Sequence, residues 1–293
     1  MNTKKLRKKI LREFSLSETY LSGTNCEASA RFGDLCYNIG MNSVIPKQIA
    51  LRDQLVTYYP WHDGGKAMPT LLFLHGWRSE GRVWEQVIAQ LVGKDFSLIG
   101  VDLPGFGKSE IPKKAFSISD YADIVLDLIK KLDLQNVILV GHSFGGRIAI
   151  KLASENSHFS KVVLVDSGGF KTSHTLKKVL AKVVKPLFAP DFMKPLRARI
   201  YKKMGAEDYV VLPEMQKTFS AVIGEDLSLC LPRIKIPTLI LWGENDFDTP
   251  VSFAERLHFG IVGSELHVIK NAGHYSFLDQ PKEFCDRLTS FLS

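Results

Sequence analysis

From Pro46 onward, short apolar runs alternate with longer segments whose apolar residues recur every three or four positions. Leu71–Leu74, Ser97–Leu103, Val137–Val140, Val162–Val165, Thr238–Trp242 and Glu265–Ile269 read as strands. Val83–Leu91, Ile118–Leu132, Phe144–Ser154, Ser252–Phe259 and Lys282–Leu292 read as helices between or after them. In the segment Ile118–Leu132 the apolar positions 121, 124, 125, 128 and 132 lie along one helical face. Continuous apolar runs fit strands covered on both faces, and their alternation with helices predicts a parallel sheet in an α/β fold. Ahead of them, Ile49, Leu51, Leu55 and Tyr59 predict one extended strand at an antiparallel edge.

The rhythm stops between Lys171 and Leu231, a lysine-rich stretch broken by Pro186, Pro190, Pro195 and Pro213. One interruption in a run of αβ units predicts a core, residues 46–170 and 233–293, with an inserted helical lid at 171–232. Residues 1–45 form a basic N-terminal extension, where Leu6, Ile10, Leu11 and Phe14 share the spacing of one helix face. The extension is expected to dock or fray, and contact with a membrane surface is the lesser reading.

Composition narrows the classes. An apolar content of 45% and a charged content of 24% are those of an ordinary globular chain, and 293 residues bury a core without staples. Cys26, Cys36, Cys230 and Cys285 are widely spaced, which fits reduced thiols better than a disulfide framework or a zinc site. No apolar stretch is long enough to span a membrane, and no apolar run follows the basic start as in a secretory signal, so a cytoplasmic location is expected. The net charge of +7 is concentrated in residues 1–45 and 171–231. These regions would favour anionic partners, but no nucleic-acid motif accompanies them.

The sharpest chemical signal is Gly141-His142-Ser143-Phe144-Gly145, followed by Gly146, between a strand and a helix. In that setting a G-x-S-x-G turn lifts the serine hydroxyl above the carboxyl edge of the sheet, beside the helix N-terminus. A serine at its free pKa is a weak nucleophile and needs a base held by a third group. The acid is expected in the loop after Thr238–Trp242, where Asp246 is preferred over Asp248 and Glu244. The base is expected after the next strand, at His274 in Asn271-Ala272-Gly273-His274, rather than at His267 or His258. The amides of Phe144 and of Trp77, in His75-Gly76-Trp77, are the candidate oxyanion donors, with His75 read as structural. Arg147 is a candidate partner for a substrate carboxylate. Gly107-Lys108-Ser109 fails as a phosphate loop, because the required first glycine would fall at Asp102.

With His75-Gly76-Trp77, Asp102-Leu103-Pro104-Gly105-Phe106-Gly107-Lys108-Ser109, Gly141–Gly146, Gly243-x-x-Asp246-x-x-x-Pro250 and Gly273-His274, the chain resembles the lid-bearing serine-hydrolase and esterase branch of the α/β-hydrolase family. The resemblance covers about residues 46–170 and 233–293. It implies a mostly parallel eight-stranded sheet flanked by helices, and hydrolysis of an ester or related acyl bond of a small molecule, with no cofactor. The apolar side chains and positive charge of residues 171–232 suggest an apolar or anionic substrate, and no metal is expected. Cleavage of a C–C bond or a lyase step on the same fold, and a non-catalytic small-molecule receptor, are the alternatives. The chain departs from many lipases in lacking a His-Gly-Gly-Gly run, and residues 1–45 have no counterpart in the resemblance.

Overall fold

The computed structural model describes residues 44–65, 68–155, 158–171 and 213–293, and elements are numbered over those residues. Apart from Val44 and Ile45, the N-terminal extension lies outside them, with its expected helix, as does most of the 171–232 insertion.

The strands are β1 (Lys47–Leu51), β2 (Gln54–His62), β3 (Thr70–Leu74), β4 (Ser97–Val101), β5 (Val137–His142), β6 (Lys161–Val165), β7 (Thr238–Gly243) and β8 (Glu265–Ile269). They form one eight-stranded sheet in the order β1-β2-β4-β3-β5-β6-β7-β8. Only the β1–β2 and β2–β4 pairs are antiparallel. The helices are α1 (Glu85–Leu91), α2 (Ile118–Lys131), α3 (Phe144–Glu155), α4 (Gln216–Gly224), α5 (Val251–Gly260), α6 (Ser276–Asp279) and α7 (Pro281–Leu292).

The central strands are mostly apolar because both of their faces are covered. Successive side chains point to opposite sides. Leu72 and Leu74 of β3 join Leu139, Leu164 and Ile240 in one cluster, under α2, α3 and α5. Leu71 and Phe73 join Val140, Val163 and Leu241 in the other, under α1 and α7. Helix α2 begins where its sequence signals a start: the Ser117 hydroxyl accepts from the Asp120 amide, and the Asp120 carboxylate accepts from the Ser117 amide.

Two expectations change. The single strand predicted over positions 49–59 is a hairpin, β1 and β2, because Arg52 and Asp53 form a two-residue turn with Leu51 opposite Gln54 and Arg52 at φ 50°. The strand predicted to reach Leu103 ends at Val101. Its next residue, Asp102, turns its carboxylate to the Tyr59 hydroxyl at 3.0 Å and to the amides of Gly81 at 2.7 Å and Lys108 at 2.8 Å. The end of the expected lid returns to the core, where Thr218 of α4 accepts from the Phe116 amide at 3.1 Å.

Candidate active site

Four parallel strands that are neighbours in the sheet, β5 to β8, end side by side. Their carboxyl-end loops hold, in the same order, Ser143, Asp166, Asp246 and His274.

Ser143 sits in the turn between β5 and α3 with φ 50°, in the left-handed region that a residue with a β-carbon rarely adopts. The turn is pinned on both sides: the Ser143 amide donates to Val165 at 3.0 Å, and the Ser143 carbonyl accepts from Gly168 at 3.1 Å. Gly145 is required by close approach. A β-carbon there would run into the carbonyl oxygen of Leu74, and the Gly145 amide donates to the His75 carbonyl at 3.0 Å. Among its buried neighbours in the motif, Ser143 alone keeps partial exposure.

The three residues expected to cooperate lie in hydrogen-bond contact. His274 Nε2 is 3.0 Å from Ser143 Oγ, and His274 Nδ1 is 2.8 Å from Asp246 Oδ2. Asp246, with its side chain fully buried, is held by the amides of Asp248 and Thr249 on Oδ1, both at 2.9 Å, and by the Thr249 hydroxyl on Oδ2 at 2.7 Å. Its rivals do not share this position: Asp248 and Glu244 are exposed, and Glu244 accepts from the Asn271 amide. His258 pairs with Ser264, and His267 stands beside Glu265. Burial disfavours the His274 cation, but the hydrogen bond and charge of Asp246, reinforced by Asp166 and Asp248, outweigh it and raise the imidazole pKa above its ordinary value. A hydroxyl bonded to an imidazole that a buried carboxylate holds in one tautomer is the arrangement needed for general-base activation of the hydroxyl. Asp246, Asp248 and His274 also bring potential metal-ligand atoms close together, but the Asp246–His274 contact is itself a hydrogen bond.

The Trp77 amide follows β3 and the Phe144 amide opens α3. Among the described residues, neither donates to a backbone carbonyl outside its own element. The Trp77 ring packs edge-on to Phe106 and Phe144, with centroids 4.8 and 5.3 Å away, and lies against Phe219 of α4. His75 is fully buried and bonded at both nitrogens. Nε2 accepts from the Leu103 amide at 3.0 Å, and Nδ1 donates to the Gly76 carbonyl at 2.7 Å. Burial lowers its pKa, so the ring is neutral and structural.

Arg147, expected as a candidate partner for a substrate carboxylate, is turned toward neighbouring backbone. Its guanidinium is buried and donates to the carbonyls of Phe170 at 3.1 Å, just before the insertion, and Glu225 at 2.9 Å, near its end. Burial lowers its pKa to about 10. Two of its nitrogens are committed to backbone, so this geometry lends no support to a carboxylate-binding role.

Sequence reading missed several residues that the fold brings to the same place. His142 is fully buried and donates from Nε2 to the His274 carbonyl at 2.7 Å, and burial keeps its pKa well below the ordinary imidazole value. Thr249, Asp166 and Ser276 complete the surroundings of the Asp246–His274 pair. Their only signal in the sequence is position, directly after a buried strand or beside a predicted site residue.

Residues 71–287 match the family described as the Alpha/beta hydrolase family. The AB hydrolase superfamily protein YisY of Bacillus subtilis (strain 168) is 31% identical over 253 residues, spanning 78% of this chain and 93% of that protein. The pimeloyl-[acyl-carrier protein] methyl ester esterase of Vibrio vulnificus (strain YJ016) is 28% identical, over 79% of this chain and 96% of the esterase. Among solved structures, the esterase EaEST of Exiguobacterium antarcticum superposes with a TM-score of 0.67 at 27% identity, covering 85% of this chain and 99% of that one. With a family match over most of its length and a relative at 31% identity, the chain belongs to the α/β-hydrolase family.

Proposed function

We propose that this protein is a serine hydrolase that cleaves a carboxylic ester, or a related acyl bond, of a small molecule by two-step acyl transfer. The observation that carries the reading is the continuous hydrogen-bonded chain from Ser143 through His274 to buried Asp246. The esterases among its relatives support the ester as the bond cleaved.

In the first step His274 Nε2 takes the Ser143 proton as the hydroxyl oxygen attacks the substrate carbonyl carbon. The negative charge that develops on the carbonyl oxygen faces the amides of Trp77 and Phe144 and the positive end of α3. His274, its imidazolium stabilised by Asp246, then protonates the departing alcohol, and the acyl group remains on Ser143. In the second step a water molecule gives a proton to His274 and attacks the acyl carbon; as the bond from that carbon to Ser143 Oγ breaks, His274 returns the proton to Oγ, and the carboxylic acid leaves with serine and imidazole restored. The C–C and lyase alternative drew on Arg147 as a carboxylate partner, and its bonds to Phe170 and Glu225 weaken that alternative. A cytoplasmic setting fits the free, buried thiols of Cys230 and Cys285.

The test is hydrolysis of p-nitrophenyl esters of graded chain length, together with fluorophosphonate labelling. Wild-type protein is expected to label at Ser143, and Ser143→Ala to lose labelling and about four or more orders of magnitude of kcat. An unlabelled wild-type serine with tight small-molecule binding would favour the receptor, and turnover of anionic diketones without ester hydrolysis would favour C–C cleavage.

A further inference from the structure

One aspartate stands at the meeting point of three loops and has no part in the mechanism above. Asp166 follows β6 directly. Its backbone is held in the left-handed region, at φ 44°, by its own amide, which donates to the Leu241 carbonyl at 3.0 Å. The side chain is buried, and both oxygens are taken. Oδ1 accepts from the Gly243 amide at 2.7 Å, where the Asp246 loop begins. Oδ2 accepts from the Ser276 amide at 3.1 Å and the Ser276 hydroxyl at 2.6 Å, two residues past His274. The Asp166 carbonyl in turn accepts from the Thr249 hydroxyl at 3.0 Å, and that hydroxyl also reaches Asp246 Oδ2 at 2.7 Å and stands 3.3 Å from His274 Nδ1.

We infer that Asp166 is a positioning residue for the reaction: through Gly243 and Ser276 it fixes the acid loop against the histidine loop, and its charge joins that of Asp246 in holding the imidazolium. The inference rests on the reading of Ser143, His274 and Asp246 as a catalytic chain. Its physical basis is that a carboxylate buried beside a second carboxylate is costly, and three donors drawn from two different loops offset that cost only while the loops stay together. His142 also holds the histidine loop, through the His274 carbonyl. Burial pushes the Asp166 carboxyl up to about 7, against the opposing pull of Ser276, His274 and Gly243, so the residue carries its charge on the alkaline side of neutrality. The groups that bear electrostatically on His274 are Asp246, Asp166 and Asp248, and the imidazole facing it is neutral His142.

The deciding measurement is the side-chain NMR titration of His274 in the whole protein, wild type against Asp166→Asn, which needs no turnover. The variant is expected to lower the His274 pKa by on the order of one unit and to reduce kcat by about ten- to a hundredfold with little change in KM. An unchanged His274 titration in a folded variant would overturn the inference, whatever the enzyme hydrolyses. Should Asp166→Asn not fold, Ser276→Ala removes one donor and keeps the carboxylate. It is expected to lower kcat with KM held, and wild-type kcat there would equally overturn the proposal. Fluorophosphonate labelling of the wild type separates the two levels: absence of labelling sinks the catalytic reading, while the titration still decides whether Asp166 governs His274.

Discussion

Asp246 and Asp166 are both deeply buried and both act electrostatically on His274, yet their surroundings give them different work. Asp246 bonds the imidazole directly and also accepts from Asp248 and Thr249, while Asp166 takes its bonds from the backbone and side chain of the flanking loops. The raised His274 pKa has a consequence for rate. In the proposed mechanism only the neutral imidazole accepts the serine proton, and the protonated form persists to higher pH than in a free histidine. The kcat/KM for an activated ester is therefore expected to climb with pH along an acid limb whose midpoint lies above about 6.5, the ordinary histidine value. Asp246→Asn is expected to move that limb downward and to cut kcat by about three to four orders of magnitude. A pH–rate profile of the two proteins checks both statements, and a wild-type midpoint at or below the ordinary value would contradict the first. The placement of the candidates Ser143, Asp246 and His274 was legible from sequence because each follows a strand within a recognisable local pattern. Asp166 was not, because its partners lie 77 and 110 positions away and nothing local distinguishes a buried aspartate after an apolar run from a solvated one.

Among the elements, the β5–α3 turn works by proximity. At Gly145 an added methyl group would meet the main-chain carbonyls of Leu74 and His75, which have no flexible end to move aside. Gly224, at the end of α4, has open space around the same position. Gly145→Ala is expected to cost about 1–3 kcal/mol or more and to abolish fluorophosphonate labelling, because β3 and α3 are forced apart beneath Ser143. Gly224→Ala is expected to leave labelling intact and to raise stability by about 0.4–1 kcal/mol. Thermal melts with labelling of both variants test the contrast, and tolerance at Gly145 would disprove the account of the turn. Buried strands and amphipathic helices were readable to within a few residues because their periods differ. The β1–β2 hairpin was not, because Arg52-Asp53 carries none of the usual glycine or asparagine turn signals.

For the molecule as a whole, the sheet order explains how residues more than a hundred positions apart reach one place. The strands β5, β6, β7 and β8 are parallel neighbours, so the loops after them are adjacent without any further folding device. The core on one face reaches directly under that edge. Trp84 stacks on Phe277 at 4.2 Å between centroids and meets Phe73, Phe284 and the His142 ring. Its indole nitrogen has no hydrogen-bond partner among the described residues. Trp84→Ala is expected to cost about 3–5 kcal/mol in chemical denaturation, while Trp84→Phe, which gives up no hydrogen bond, should cost distinctly less. Equal losses would show that the indole nitrogen, rather than packing, matters there. The parallel core was legible as a pattern, since short apolar runs alternate with helices on both sides of residues 171–232.

Arg147 gives this arrangement a modular character. It rivets helix α3 to Phe170 and Glu225, and the Leu227 amide closes the same seam on the Gly169 carbonyl at 2.8 Å. The chain that departs after one side of the seam and returns at the other has its ends joined independently of what lies between, and loop-closure entropy grows only slowly with length. The length of that passage is therefore free to vary at little cost to the seam, while helix α3 and the turn at Ser143 stay in register with the sheet.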